Sequence, residues 1–266
     1  MTTRQSARVT VVRATAQELL ASFPDGSIDV LVTDPPYTTV ERRSGNGSHL
    51  HDWFGGGLSW PEIRKVLTLA RRKLKPSGLA FVMTNAAGLR EAIAALERAG
   101  FRDVRPITWD KRSPGLGGGL RHQTEFVLLG RLPGSRPVGG VDLVSVPAVG
   151  PGTRDRYPTE KPEGLARALA AIAGVGRGDV VVDPFAGSGA LLSGAKARGA
   201  TVVGGDIAAR AVKRATERLD GRPKATPSAT RKPPRPSLVG RRPAGRRPIE
   251  TRHAARRPTR RRPRNG

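Results

Sequence analysis

Short apolar runs alternate with amphipathic stretches along most of this chain. Ile28–Thr33 (IDVLVT), 79–84 (LAFVMT), 124–129 (TEFVLL), 179–183 (DVVVD) and 201–205 (TVVGG) are rich in Val, Leu and Phe and are bounded by turn-forming or polar residues. Such runs read as buried strands. Val9–Arg13 and 102–109 read as further strands, the second by its alternation. Between them lie segments with helical spacing. In 61–74, Ile63, Val66, Leu67, Ala70 and Leu74 fall on one face, and Pro61 suits the first turn. Lys75-Pro76-Ser77-Gly78 ends that helix. Helices are also predicted over Ala16–Ala21, over 89–99 with Gly100 as its stop, over 162–173 with Leu165, Leu169 and Ile172 inward, over 190–198 and over 208–219. Strands alternating with helices imply an α/β domain with a mostly parallel sheet. Three stretches break the alternation: 38–58, 113–120 and 131–158, all rich in Gly with Pro or Arg. Loops of that length in a compact domain are usually functional or disordered.

The strand at Ile28–Thr33 runs straight into Asp34-Pro35-Pro36-Tyr37. Neither proline can continue a central strand, because each lacks a backbone N–H. The chain therefore turns, leaving a carboxylate, a free carbonyl and an aromatic ring at the carboxyl edge of the sheet, where open α/β sheets bind ligands. Paired acceptors beside a stacking ring suit a planar, amino-bearing base. A second turn, Asp183-Pro184-Phe185-Ala186-Gly187-Ser188-Gly189, joins a strand to a helix through small residues that let a ligand approach the backbone. Asp206 ends the next strand, where an acid can bind ribose hydroxyls or cap the following helix. The dinucleotide fingerprint wants a small residue at position 192, which is Leu, and no Gly-Lys-Ser/Thr follows. A ligand with adenosine but no phosphates fits better, and S-adenosylmethionine is one.

Charge divides the chain. The 46 residues of 221–266 carry 16 Lys or Arg, one acid and nine Pro, for a net of +15 out of +25. With almost no large apolar side chains, that tail cannot repay its ordering entropy, so a disordered basic tail is expected after a single folded domain over 1–220. Gly240-Arg241-Arg242-Pro243 and Gly245-Arg246-Arg247-Pro248 partly resemble minor-groove hooks, but a phosphate-binding polycation is the plainer reading. The chain has no cysteine, which excludes disulfides, thiolate metal sites and the cysteine-adduct route to carbon-5 methylation of cytosine. His49, His51 and Asp52 lack a fourth ligand, so no metal is expected. No leader and no membrane-length apolar run is seen, which points to the cytoplasm, in contact with the nucleoid.

With these motifs in hand, the chain resembles the amino-group DNA methyltransferases of the permuted, beta-type order. In that family Asp-Pro-Pro-Tyr comes first and Phe-x-Gly-x-Gly last, as Asp34 to Tyr37 precede Phe185 to Gly189 here. Thr159-Glu160-Lys161-Pro162 is similar to the segment before the cofactor turn, and Arg121-His122-Gln123-Thr124-Glu125-Phe126 to a strand after the target-base loop. The resemblance spans roughly residues 9–219. It implies a Rossmann-like sheet of seven strands, one antiparallel, with helices on both faces. It also implies double-stranded DNA as substrate, S-adenosylmethionine as methyl donor, and a restriction-modification setting with a cognate restriction endonuclease as partner.

Residue roles follow from the same resemblance. Asp34, Pro35, Pro36 and Tyr37 form the catalytic turn. Asp183, Pro184, Phe185, Ala186, Gly187, Ser188 and Gly189 line the donor, Asp206 holds its ribose, and Thr159 and Lys161 pack at its methionine end. Asp at the first catalytic position is commoner for adenine N6 and Ser for cytosine N4, so adenine N6 is expected, with cytosine N4 as the alternative. A catalytically inactive nucleic-acid-binding protein is the alternative from a different class. Only 130–157 could hold a separate recognition domain, which is short for one. The irregular loops would then face DNA and close over the site.

Overall fold

The computed structural model describes residues 8–37, 57–115, 119–150, 157 and 159–221. Eight strands form one sheet: β1 (Val9–Arg13), β2 (Ile28–Thr33), β3 (Leu74–Thr84), β4 (Arg102–Asp110), β5 (Thr124–Arg131), β6 (Leu143–Ser145), β7 (Val180–Asp183) and β8 (Thr201–Asp206). Their spatial order is β1-β8-β7-β2-β3-β5-β4-β6. Only β5 runs against the rest, antiparallel to both β3 and β4. Six helices connect them among the described residues: α1 (Ala16–Ala21), α2 (Trp60–Lys73), α3 (Leu89–Arg98), α4 (Glu163–Ile172), α5 (Ala190–Ala197) and α6 (Ala209–Leu219). No helix among the described residues is long and apolar enough to cross a membrane.

Alternation within the central strands makes two cores. Val30 and Val32 of β2, with Phe81 and Met83 of β3, pack against Leu165 and Leu169 of α4 and Leu191 and Leu192 of α5. Leu31, Ala80 and Val82 point the other way, onto Leu19 and Leu20 of α1, Ile63 and Leu67 of α2 and Leu96 of α3. Fully burying each such aliphatic side chain is worth about 1.5–3 kcal/mol, which is why strands buried on both faces read as continuous apolar runs. Asp29 is the charged exception inside β2. It is held by Lys75 at 2.8 Å, by Arg136 at 3.2 Å and by the Val180 N–H at 2.9 Å.

Two expectations are corrected. The sheet has eight strands, not seven. The extra one, β6, lies in the Gly/Pro/Arg-rich 131–158 stretch and pairs parallel with β4. Three residues are too few to display a period, and only Val144 of β6 is buried. β3 also begins at Leu74, so Lys75-Pro76-Ser77-Gly78 lies inside it rather than ending the helix in a turn. The register jumps from Ile28↔Leu74 to Val30↔Leu79, a bulge that absorbs Pro76 and Gly78. The 38–56 part of the first irregular loop, with His49, His51, Asp52, Trp53 and Phe54, lies outside the described residues, as do 116–118, 151–156 and the tail from 222.

From β2 the chain builds outward through β3 on one side, while β7 and β8 fill the other. The strand order therefore reverses between β2 and β7, which are neighbours in parallel register. A crevice opens beyond the carboxyl ends of strands at such a point. Asp34 and Asp183 both leave the sheet there.

Candidate active site

The two turns share one cavity of about 500 Å³, walled by Asp34 to Tyr37, by Asp183 to Ser188, by Thr159 to Lys161, and by Asp206, among others. Gly189 is the member of the second turn set behind this wall; it begins α5 with φ +72°.

The first turn is fixed from both sides. The Leu58 N–H donates to the Pro36 carbonyl at 2.5 Å, and Tyr37 forms a bridge with Leu58. The Tyr37 ring stacks on Trp60, with centroids 5.8 Å apart and planes at 13°. Trp60 opens α2, whose start is capped by the reciprocal Ser59–Glu62 bonds. Burial, followed by the Asp34 and Glu125 charges, raises the Tyr37 hydroxyl pKa far above its ordinary value, so Tyr37 is a neutral phenol.

The second turn is tied to the first strand. Asp183 Oδ1 accepts from the Thr33 hydroxyl at 2.7 Å and from the Phe185 N–H at 3.0 Å. Gly187 has φ +51°, and a Cβ there would lie 2.7 Å from the Tyr157 hydroxyl oxygen. Only glycine lets the backbone pass so close to that ring. Asp206 accepts the Gly187 N–H at 3.0 Å on Oδ2 and the Ala208 N–H at 2.9 Å on Oδ1. With the Ile207 N–H as a third backbone donor, the carboxylate still keeps lone-pair capacity for an incoming hydroxyl.

Thr159, at φ +57°, leads into Lys161. The Lys161 ammonium lies 2.6 Å from Asp34 Oδ2 and 3.6 Å from Glu125 Oε2, while Lys111 sits 3.3 Å from Glu125 Oε1. Lys161 shares the cavity wall with the glycine turn, and its ammonium meets the Asp34 carboxylate. Glu160 turns the other way, onto Arg218 and Arg214 of α6. Arg218 also donates from Nε to the Ser188 carbonyl at 3.0 Å, clamping the second turn to the 159–161 segment.

Burial dominates the electrostatics. It raises Asp34, against the opposing pull of Lys161, and raises Asp206 against its backbone N–H donors. It lifts Asp183 to about 7 against the Thr33 and Phe185 hydrogen bonds, with the Asp34 and Asp206 charges adding to the rise. Burial depresses Lys161, but Asp34 and Glu125 outweigh it and leave the ammonium more firmly protonated than usual.

Known proteins share this framework. The model of a DNA methylase family, the N6/N4 methyltransferases, matches residues 28–136 and 141–217. The chain belongs to that family. It is 27% identical over 244 residues to the type II methyltransferase M2.DpnII of Streptococcus pneumoniae, covering 80% of this chain and 90% of that one. Its identity to M2.LlaDCHI of Lactococcus lactis subsp. cremoris is 28% over 241 residues, covering 79% and 88%. A putative DNA modification methylase from Thermus thermophilus, solved with S-adenosylmethionine, superposes with TM-score 0.55 at 26% identity over 81% of this chain and 95% of that one. The complex of M1.HpyAVI with S-adenosylmethionine shares the fold, with TM-score 0.62 at 19% identity over 80% and 99%.

The methylase is thus an S-adenosylmethionine-dependent DNA methyltransferase, and its cavity suits that donor. Gly187 leaves room at the backbone, Asp206 offers lone-pair capacity, and Asp34, Glu125, Asp183 and Asp206 share the wall with the Lys161 ammonium, an excess of negative charge that a sulfonium would help neutralise. Several wall residues carry no motif. Tyr157 is buried beside Ala211 and against Gly187. The chain has only two tyrosines, and both line the cavity, a scarcity that could have flagged Tyr157. Glu125 lies in the 121–126 motif but had no role assigned to it, and behind the wall Lys111 and Arg218 enter through tertiary contacts that no local pattern announces.

Proposed function

We propose that this methylase transfers the methyl group to N6 of an adenine flipped out of duplex DNA. The observation that carries the reading is the shared cavity. The Asp34 carboxylate and the glycine turn face the same space, and the Thr33–Asp183 hydrogen bond locks their strands together. An exocyclic amine is a poor nucleophile because its lone pair is delocalised into the ring. Asp34 and the Pro35 carbonyl accept its two N–H bonds, favour a pyramidal nitrogen and aim the lone pair. Tyr37, one face covered by Trp60, stacks on the base. That stacking recovers about 1–3 kcal/mol of the few kcal/mol that extrusion costs. When bound, the donor supplies an electrophilic methyl group on a sulfonium. The Asp183–Gly189 turn and Asp206 hold it, with Pro36 and Thr159 completing the wall, and Asp34 is the nearest acceptor for the proton that the amine loses. Positioning and electrostatics do most of the work.

Aspartate at the first catalytic position supports adenine over cytosine. Relatives named as type II methyltransferases support a restriction-modification setting, with a cognate endonuclease as partner and the nucleoid as place of work. In this reading 1–220 is the catalytic domain and 221–266 a phosphate-binding tail. Duplex DNA incubated with the full chain and labelled donor, digested and analysed by nucleoside mass spectrometry, should yield N6-methyldeoxyadenosine. N4-methyldeoxycytidine instead would select the cytosine reading. An Asp34→Ala protein methylating at the normal rate would refute the role of the catalytic turn.

A further inference from the structure

Resting on that reading of Asp34, we propose that Lys161 is a positioning residue. It holds the Asp34 carboxylate until the target amine arrives, and is then passed to Glu125 as the amine takes its place. The geometry is a chain of alternating charge: Asp34, Lys161, Glu125, Lys111. Lys161 is 11% exposed at its side chain and reaches two carboxylates at once, one at 2.6 Å and one at 3.6 Å. The nearer contact is a full charge-assisted hydrogen bond; the farther is not yet one. A movement of about 0.8 Å brings the ammonium to the usual distance from Glu125 Oε2, about 2.7–2.9 Å. Lys111 fixes Glu125 from behind, so the second acceptor stays in place. The backbone is fixed as well. Thr159 sits at φ +57°, Glu160 is pinned by Arg218, and Pro162 follows at the start of α4. The side chain alone is free to swing.

The exchange answers a physical difficulty. A buried carboxylate without a partner would take up a proton and become a donor, useless for receiving an N–H. A carboxylate locked permanently to an ammonium would share its charge with that partner and hold the amine less strongly. An ion pair with a second acceptor waiting avoids both. The exchange conserves charge and protons, because Lys161 stays protonated throughout and no bond is made or broken.

The other groups facing Asp34 are Asp183 from β7, Tyr37 from its own turn and Tyr157. None is a cation, so among the described residues Lys161 alone supplies Asp34 with positive charge by direct contact. Removing a neighbouring cation raises a carboxylate's pKa, typically by about 1–3 units, and removing a neighbouring anion lowers it.

The test uses the full chain and its Lys161→Met, Lys161→Arg and Glu125→Gln variants. Single-turnover methyl transfer to duplex DNA is followed from pH 5.5 to 8.5. Donor affinity is measured by calorimetry, and thermal unfolding at each pH confirms a folded protein. Lys161→Met should move the acid limb of the rate profile up by about one pH unit or more. Glu125→Gln should move it down and slow the reaction at least tenfold, since an uncharged amide oxygen draws the ammonium off Asp34 far less strongly than a carboxylate. Lys161→Arg, which keeps the charge, should hold the limb within about half a unit of the parent protein. Donor affinity should change less than threefold in all three. Limbs that stay put in both Lys161→Met and Glu125→Gln overturn the proposal, and so does a tenfold loss of donor affinity in Lys161→Met with an unmoved limb. Asp34→Ala is run alongside. If it is inactive while the limbs stay put, only this inference fails; if it methylates normally, the reading of Asp34 fails first.

Discussion

Replacing Asp183 by Asn should stabilise the protein at alkaline pH and leave it nearly unchanged below about pH 4. Asp183 is 1% exposed, and both of its hydrogen bonds, from Thr33 and Phe185, arrive on the same oxygen. An amide oxygen accepts both equally well, so the substitution removes little but charge. Burial carries the carboxyl from 3.8 to about 7 in the folded protein. The folded state therefore holds a proton that the unfolded chain has released between those values. Stability is present below about pH 4 and is lost as pH rises toward 7. At about 1.4 kcal/mol per pKa unit, the loss is about 4 kcal/mol, complete above pH 7.

Urea unfolding of both proteins at pH 5 and pH 8 reads this directly. At pH 5 the Asn protein should already be ahead by about 1.5–2 kcal/mol, because the unfolded Asp183 is ionised there while the folded one still holds its proton. At pH 8 the Asn protein should be more stable by up to about 4 kcal/mol, or roughly 8–15 °C in Tm for a domain of this size. A gap of the same size at both pH values would refute the reasoning, since only titration of Asp183 makes it pH-dependent. The native carboxylate should repay its cost in donor affinity. Asp183→Asn should bind S-adenosylmethionine more weakly at pH 8 while being the more stable protein, the usual exchange at a functional site.

Three further outcomes follow from the same site. Gly187→Ala places a methyl 2.7 Å from the Tyr157 hydroxyl at φ +51°, so strain and overpacking together should cost about 2–4 kcal/mol and donor affinity should fall at least tenfold by calorimetry; unchanged affinity would show that the turn does not touch the donor. Arg218→Met breaks the clamp between Ser188 and Glu160 and leaves a buried carboxylate short of its partner, and should destabilise the domain by about 3–5 kcal/mol in denaturant titration; a loss below 1 kcal/mol would mean that the cluster is dispensable. Deleting 221–266 should flatten the dependence of DNA affinity on salt; an unaltered slope would remove the tail from DNA binding.

The alternating architecture was legible because buried parallel strands are apolar on both faces and end at Gly, Pro or Asp. Val180 to Asp183 and Thr201 to Asp206 need no more than that. β6 was not legible, since Leu143 to Ser145 carries only one buried residue, and neither was the start of β3, where Pro76 and Gly78 read as a turn but sit in a bulge. In the site, both turns were legible as chemistry, because two prolines after a strand and glycines before a helix leave the backbone few choices. Their partners were not. Thr33 and Asp183 are 150 positions apart, and Lys161 meets Asp34 only because β2 and β7 are neighbours in the sheet. The motif around Lys161 named the residue, but its contact with Asp34 depends on topology.

The same topology sorts two opposite charges by depth. The chain carries +25 overall, which suits a polyanionic substrate, yet its cavity is walled by Asp34, Asp183, Asp206 and Glu125. Phosphates are drawn to the protein and repelled from the pit; a cationic donor is favoured in the pit and repelled outside it. An uncharged nucleobase is the one part of DNA that can enter without crossing that gradient. In the proposed reading such a base meets the donor at Asp34, with Lys161 beside it. Without that ammonium the pit would be acidic enough to protonate its own carboxylates. With it, the carboxylate that in the proposed reading receives the amine has a cation in contact, on a wall where burial lifts Asp183 to about 7.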